Sequence, residues 1–280
     1  SKSLSSEVDQ QNFFDRASCA AMFIDISGFS KITEILFKKH GLQGVEVLAS
    51  TLNTYLGRIV DRLTQCGGDV IKFAGDAALV IFAVTPEADL ARQALKATQL
   101  SLECISDLES GEAVVEGVVL TAHTGIGVGD VTGFLVGGVF NRSEYAIIGD
   151  PVFQIASAEP AAGNGETVIS PEAWALIEEH AEGRPTTDNN WLVTSIKKGH
   201  KLDDEALGHG GGIVKELAML TKDAANLAAG EIKQVVPGGV RNRLPDFTPT
   251  SMPSISEFRL VTMLFARLQG LDYSRGDKEL

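Results

Sequence analysis

Asp25 and Asp76 are the residues on which chemistry is most readily placed. Asp25 closes the apolar run Cys19 to Ile24 and is followed by Ile26-Ser27-Gly28-Phe29-Ser30. Asp76 ends the stretch Gly67-Gly68-Asp69-Val70-Ile71-Lys72-Phe73-Ala74-Gly75-Asp76, beyond which runs Ala77-Ala78-Leu79-Val80-Ile81-Phe82. Apolar runs rich in β-branched and aromatic residues on both sides of Ala74-Gly75-Asp76 read as a tight β-hairpin that presents the Asp76 carboxylate at its tip. Two aspartates at strand ends, each with a glycine within three residues, suggest a divalent-metal site next to a phosphate-binding turn. The plainer alternative is that both acids cap turns.

Elements that can hold these acids are legible around them. Ala20 to Ile24 suits a central strand covered on both faces. Phe29, Ile32 and Leu36 recur at helical spacing, so a helix starts just past Gly28, points its free N–H groups toward Asp25 and ends at Gly41. Gly44 to Gln65 reads as a longer helix whose core face carries Val45, Leu48, Leu52, Tyr55 or Leu56, Ile59 and Leu63. Thr85-Pro86-Glu87 reads as the start of a helix running to about Leu108. Val114 to Val128 is strand-like, with Gly129-Asp130 turning it into a partner strand, Val131 to Val136. Gly125, Gly127 and Gly129 are followed by strand and not helix, which excludes a dinucleotide loop. Glu144 to Ile148 predicts a strand, and Asp150 opens a short helix carrying Val152, Ile155 and Ala158. Thr167 to Ile169 predicts another strand, and Ser170-Pro171-Glu172 caps a helix to about Glu179. Past Ala181 the pattern weakens, and Lys201 to Gly212 reads as a mobile loop.

Bulk properties narrow the function. With 280 residues, 44% of them apolar, the chain can bury a real core, and a formal charge of -13 disfavours broad nucleic-acid binding. Cys19, Cys66 and Cys104 are odd in number, widely spaced and set in apolar patterns, as reduced core thiols are. No run of about 18 apolar residues predicts a membrane span, and a cytoplasmic setting is the expectation. The domain reading is a polar leader over 1–18, a catalytic domain over 19–236, a proline-rich linker over 237–255, and over 256–280 the start of a second, truncated copy. That copy is read from Met263-Leu264-Phe265-Ala266-Arg267-Leu268-Gln269-Gly270-Leu271, a degenerate echo of Ala21 to Phe29 in which Arg267 replaces Asp25.

The segment Phe23 to Ser30 and the hairpin Gly67 to Asp76, in that order with helices between, resemble the class III nucleotide cyclase catalytic domain, most of all the first catalytic half of the soluble, bicarbonate-responsive adenylyl cyclases. The likeness extends more loosely over 19 to about 180. It implies an α+β fold, a ferredoxin-like βαββαβ core with additional C-terminal strands and helices, two such halves sharing an active site at their interface. It implies that Asp25 and Asp76, with Ile26, hold two magnesium (or manganese) ions on the triphosphate of ATP, and that Ile26, Ser27, Gly28, Phe29, Ser30 and Gly75 cradle phosphate. His123 stands where the family has a triphosphate-contacting lysine. Lys72 falls in a possible regulatory pocket.

Departures from the family pattern point to an incomplete half. Where symmetric homodimers of the family carry an asparagine and an arginine four apart, this chain has Phe153 and Ser157; Ala146 replaces the base-selecting residue, and Ala156 an arginine of the bicarbonate pocket. The resulting expectation is an adenylate cyclase, a phosphorus-oxygen lyase in signal transduction, that is weak or inactive until a complementary second domain supplies the missing groups. Other readings are a non-catalytic regulatory or dimerisation module, a GTP-using cyclase, or a diguanylate cyclase suggested by Gly67-Gly68-Asp69.

Overall fold

The computed structural model describes residues 16–110, 114–137 and 143–208. Its central strand is β1 (Ala17–Ser27). Ala20, Met22, Ile24 and Ile26 point into the main core, whereas Cys19 and Ala21 point into a smaller cluster on the other face. Burial on both faces explains why this strand reads as an unbroken apolar run.

α1 (Phe29–His40) and α2 (Gly44–Gln65), joined by a 3-10 turn, follow β1, then the hairpin β2 (Asp69–Ala74) and β3 (Ala77–Ala83). α3 (Leu90–Glu109) leads to a small hairpin, β4 (Val114–Val115) and β5 (Val118–Val119), and then to β6 (Thr121–Gly137) and β7 (Ser143–Gly149). α4 (Asp150–Ala158), β8 (Thr167–Ile169), α5 (Pro171–Ile177), β9 (Ala181–Pro185), β10 (Trp191–Ile196) and α6 (Asp204–Gly208) complete the described chain. The sheet order is β2-β3-β1-β6-β8-β10-β9, with β7 paired to β6. Its first four strands pair antiparallel, which with α1, α2 and α3 is the ferredoxin-like βαββαβ arrangement. Residues of α1, α2, α3 and α5 bury the main core on one face, and Ile155 of α4 packs on the other. All three cysteines are buried and free, and burial pushes the Cys19 and Cys104 thiols up to about 12.

Several boundaries differ from the sequence reading. β1 begins at Ala17 and so takes two residues from the polar leader. α3 starts at Leu90, not at the Thr85-Pro86-Glu87 signal, because Asp89 is the cap: its side chain accepts from the Arg92 N–H. Gly129-Asp130 is not a turn. β6 runs straight through it for 17 residues, changing partner from β8 at Thr124–Ile126 to β7 at Val131–Gly137. Gln154 of α4 fills the gap: its side chain accepts from the Val128 N–H at 2.7 Å and donates to the Val128 carbonyl at 3.0 Å, as a neighbouring strand would. Within the supposed loop Lys201 to Gly212, Asp204–Gly208 is a helix that buries Leu207; five residues are too few to show a period. β9 and β10 are the strands missed past Ala181. The segments read as a linker and as a second copy lie outside the described residues.

Candidate metal and phosphate site

The site is built where one rung of the sheet meets the β2–β3 turn. Strand register sets Ala74, Ala77, Asp25 and His123 side by side on β2, β3, β1 and β6. Asp76 occupies the turn just beyond Ala74 and Ala77, and its carbonyl accepts from the Ile26 N–H at 3.4 Å. That bond closes the end of β1 onto the turn and brings the two aspartates of the sequence reading together. The turn needs Gly75, whose φ of +70° is left-handed and costly for a residue with a Cβ.

Electrostatics agree with the register. The Asp25 carboxyl is pushed above the ordinary carboxylate range by burial first and by the negative charge of Asp76 second, His123 opposing and Glu159 adding to the shift, while a hydrogen bond from the Ile26 backbone opposes it. Asp25 Oδ1 is buried with no hydrogen-bond partner. A buried, unsatisfied carboxylate oxygen beside a second carboxylate is costly unless a cation completes it. The donor set, oxygen-rich and next to an anion-binding helix start, fits a divalent ion.

Phosphate chemistry is available at the start of α1. Gly28 is its N-cap in the left-handed region (φ 111°) and offers no side chain to the open N–H groups, while Ile32 N–H already donates to Gly28 carbonyl. Helix geometry leaves the N–H groups of Phe29, Ser30 and Lys31 without intrahelical acceptors. Of the residues read as phosphate ligands, Ile26 and Phe29 bury their side chains in the core, so only their main chain can take part. Ser30 is exposed, and Ser27 is occupied: its Oγ lies 3.1 Å from His123 Nδ1.

His123 therefore sits differently from a lysine reaching for triphosphate. Its Nε2 is 2.9 Å from Glu159 Oε1 and 3.7 Å from Asp25 Oδ2. Glu159, in the 3-10 turn after α4, went unrecognised in the sequence. Nothing about an isolated Glu-Pro pair 36 residues from His123 signals the contact; only the docking of α4 on β6 makes it. A Cβ on Gly125 would meet Glu159 backbone at 2.7 Å, so the missing side chain is what lets Glu159 approach. Lys72 is exposed two rungs along, level with Leu79, Phe23 and Gly125. Asp69, by contrast, opens β2 opposite Ile81, far along the hairpin from its turn, which separates Gly67-Gly68-Asp69 from the acids and removes the diguanylate cyclase reading. Phe153 and Ser157 are exposed on α4.

The family model for the adenylate and guanylate cyclase catalytic domain matches residues 14–199. Adenylate cyclase type 10 of Rattus norvegicus is 34% identical over 158 residues, 56% of this chain and 10% of that protein. The Homo sapiens protein of the same description is 31% identical over 170 residues, 60% of this chain and 10% of its own. The chain thus spans about a tenth of the length of these relatives. Among solved structures, the adenylyl cyclase CyaB from P. aeruginosa superposes with a TM-score of 0.53 at 24% identity, covering 65% of this chain and 96% of that one. The guanylate cyclase domain of RhGC from Catenaria anguillulae, in complex with GTP, gives 0.53 at 20% identity, covering 66% and 100%. At these identities the superpositions show a shared fold. No helix among the described residues is long and apolar enough to cross a membrane.

Proposed function

We propose, since the chain belongs to the adenylate and guanylate cyclase catalytic domain family, that it is the metal-bearing half of an adenylate cyclase, which converts ATP to cyclic AMP and pyrophosphate once a complementary half closes over it. The observation that carries this reading is the meeting of Asp25 and Asp76 at one end of the sheet, close enough for the charge of Asp76 to raise the Asp25 pKa. Asp25, Asp76 and the Ile26 carbonyl are the groups that would hold magnesium or manganese. Divalent ions there would supply a lowered pKa for the attacking ribose 3′-hydroxyl and positive charge for the departing pyrophosphate.

The chain's own share of the work is positioning. The N–H groups that open α1 would receive phosphate oxygens, and Gly28, where a Cβ would press on Leu120 and Val119, supplies the left-handed turn that starts the helix. The α4 side of the sheet supports pairing with a second domain: Phe23, Ile71 and Leu79 are only partly buried there, and Phe153 of α4 is exposed. A phenylalanine at 153 cannot orient a ribose and a serine at 157 cannot neutralise phosphate, so both tasks fall to the partner. ATP is the substrate named because the curated relatives are described as adenylate cyclases.

The test is to assay the chain alone and mixed with a complementary cyclase half, with ATP or GTP and magnesium or manganese, resolving products by chromatography. Cyclic AMP from the mixture and almost none from the chain alone is expected. Vigorous turnover by the chain alone removes the half-site reading; cyclic GMP from GTP makes it a guanylate cyclase half. Unaltered turnover by the mixture after Asp25→Asn with Asp76→Asn makes it a regulatory module.

A further inference from the structure

Two carboxylates and an imidazole converge on one point of this site, and of the three only Asp25 belongs to the metal reading proposed above. We propose that Asp25, His123 and Glu159 form a nitrogen-bearing seat for a first-row transition ion of the manganese or zinc type, preferred there over magnesium. The proposal rests on reading Asp25 as a metal ligand and adds two ligands to it.

Geometry is the main support. The three ligand atoms all lie within 4.8 Å of one another, with Nε2 of His123 2.9 Å from Glu159 Oε1 and 3.7 Å from Asp25 Oδ2. Metal–ligand bonds of about 2.0–2.2 Å set neighbouring donor atoms about 3.0–3.5 Å apart, and the two separations from His123 Nε2 lie within a few tenths of an ångström of that range. Each ligand comes from a separate element, β1, β6 and the turn after α4, and each is partly buried: the side chains of Asp25, His123 and Glu159 are 29%, 16% and 25% exposed.

Two further observations point the same way. Ser27 Oγ lies 3.1 Å from His123 Nδ1. With the proton on Nδ1 donated to that oxygen, the Nε2 lone pair is free to ligate, the arrangement that outer-shell partners impose on metal-bound histidines. Independently, Asp25 Oδ1, the oxygen of that carboxylate other than the one 3.7 Å from His123, is buried and has no hydrogen-bond partner among the described residues. Two carboxylates and a neutral imidazole also match a divalent charge. Imidazole is a good ligand for the later transition ions and a poor one for magnesium, which keeps to oxygen.

Manganese binding to the full chain, followed by electron paramagnetic resonance, tests this without turnover. One tight Mn²⁺ site is expected, with echo modulation from a single directly bound imidazole nitrogen, competed poorly by Mg²⁺. Among the described residues the other histidines are His40, beside Glu116, and the pair His180 and His200, whose Nδ1 atoms lie 2.7 Å apart at the surface; the modulation survives replacing all three by asparagine. His123→Gln removes the modulation and weakens Mn²⁺ binding about tenfold, Glu159→Gln weakens binding comparably but keeps the modulation, and Asp25→Asn abolishes the site. Asp25-dependent Mn²⁺ binding without nitrogen modulation in the unmodified chain overturns the proposal and leaves the cyclase reading of Asp25 intact. Absence of any Asp25-dependent Mn²⁺ binding removes both.

Discussion

Asp25 and His123 are cross-strand partners on β1 and β6, and the imidazole that faces Asp25 at 3.7 Å is held from its other side by Ser27 and at the same nitrogen by Glu159. The acid at the centre of the proposed chemistry is thus fixed by register on one strand and by a neighbour borrowed from a distant turn. Burial and Asp76 both oppose its negative charge.

That tension has a measurable sign. An acid whose pKa is raised on folding holds its proton more tightly in the native state, so stability falls as pH climbs past the ordinary carboxylate value and the loss persists at neutral pH. Asp25→Asn is expected to raise Tm at pH 7 without added metal by about 2–4 °C, the equivalent of about 1 kcal/mol in a domain of this size. The gain vanishes below about pH 4, where both side chains are neutral. Calorimetry at the two pH values decides it; a lower Tm at pH 7 contradicts the assignment.

In the assembled enzyme the same substitution works against function. Asp25→Asn and Asp76→Asn are each expected to cut cyclic AMP production about 100-fold or more, on the scale of losing one preorganised electrostatic group. Initial rates at saturating ATP, with partner binding checked by sedimentation, measure it.

Two glycines to alanine should move stability in opposite directions. Gly125→Ala places a Cβ 2.7 Å from Glu159 backbone, so the turn must shift; a loss of about 2–3 kcal/mol is expected. Gly57→Ala faces open space within α2 and should stabilise by about 0.5–1 kcal/mol. Urea unfolding of both variants provides the comparison.

Gln154→Ala should cost about 3 kcal/mol, because it orphans the N–H and carbonyl of Val128 and removes the acceptor of the Ser170 hydroxyl. Hydrogen exchange localises the damage: protection at the Val128 amide falls first.

Glu103 supplies an acid-side prediction. Burial alone would push its carboxyl up, but hydrogen bonds from Gln99, Lys201 and Arg62 hold it below the ordinary range. A depressed acid contributes its stability above the unfolded value and loses it as pH falls through the folded one. Glu103→Gln should cost about 1–2 kcal/mol at pH 7 and less at pH 3. Denaturant midpoints at both pH values check this.

Local signals carried much of this protein. The turn at Gly75-Asp76, the helix start past Gly28, the span Gly44–Gln65 and the Ser170 cap each depend on residues within a few positions of one another, and spacing and turn chemistry report such interactions directly. The Asp25 strand was equally legible, since an apolar run bounded by a glycine turn has few other uses. What the order of residues could not reveal was which side chains meet across the sheet. Glu159 reaches His123 only because β6 continues through Gly129-Asp130, Gln154 takes the place of a missing strand and Gly125 leaves room for the turn after α4. Those are choices of register and docking, made by long-range packing, and no local pattern encodes them.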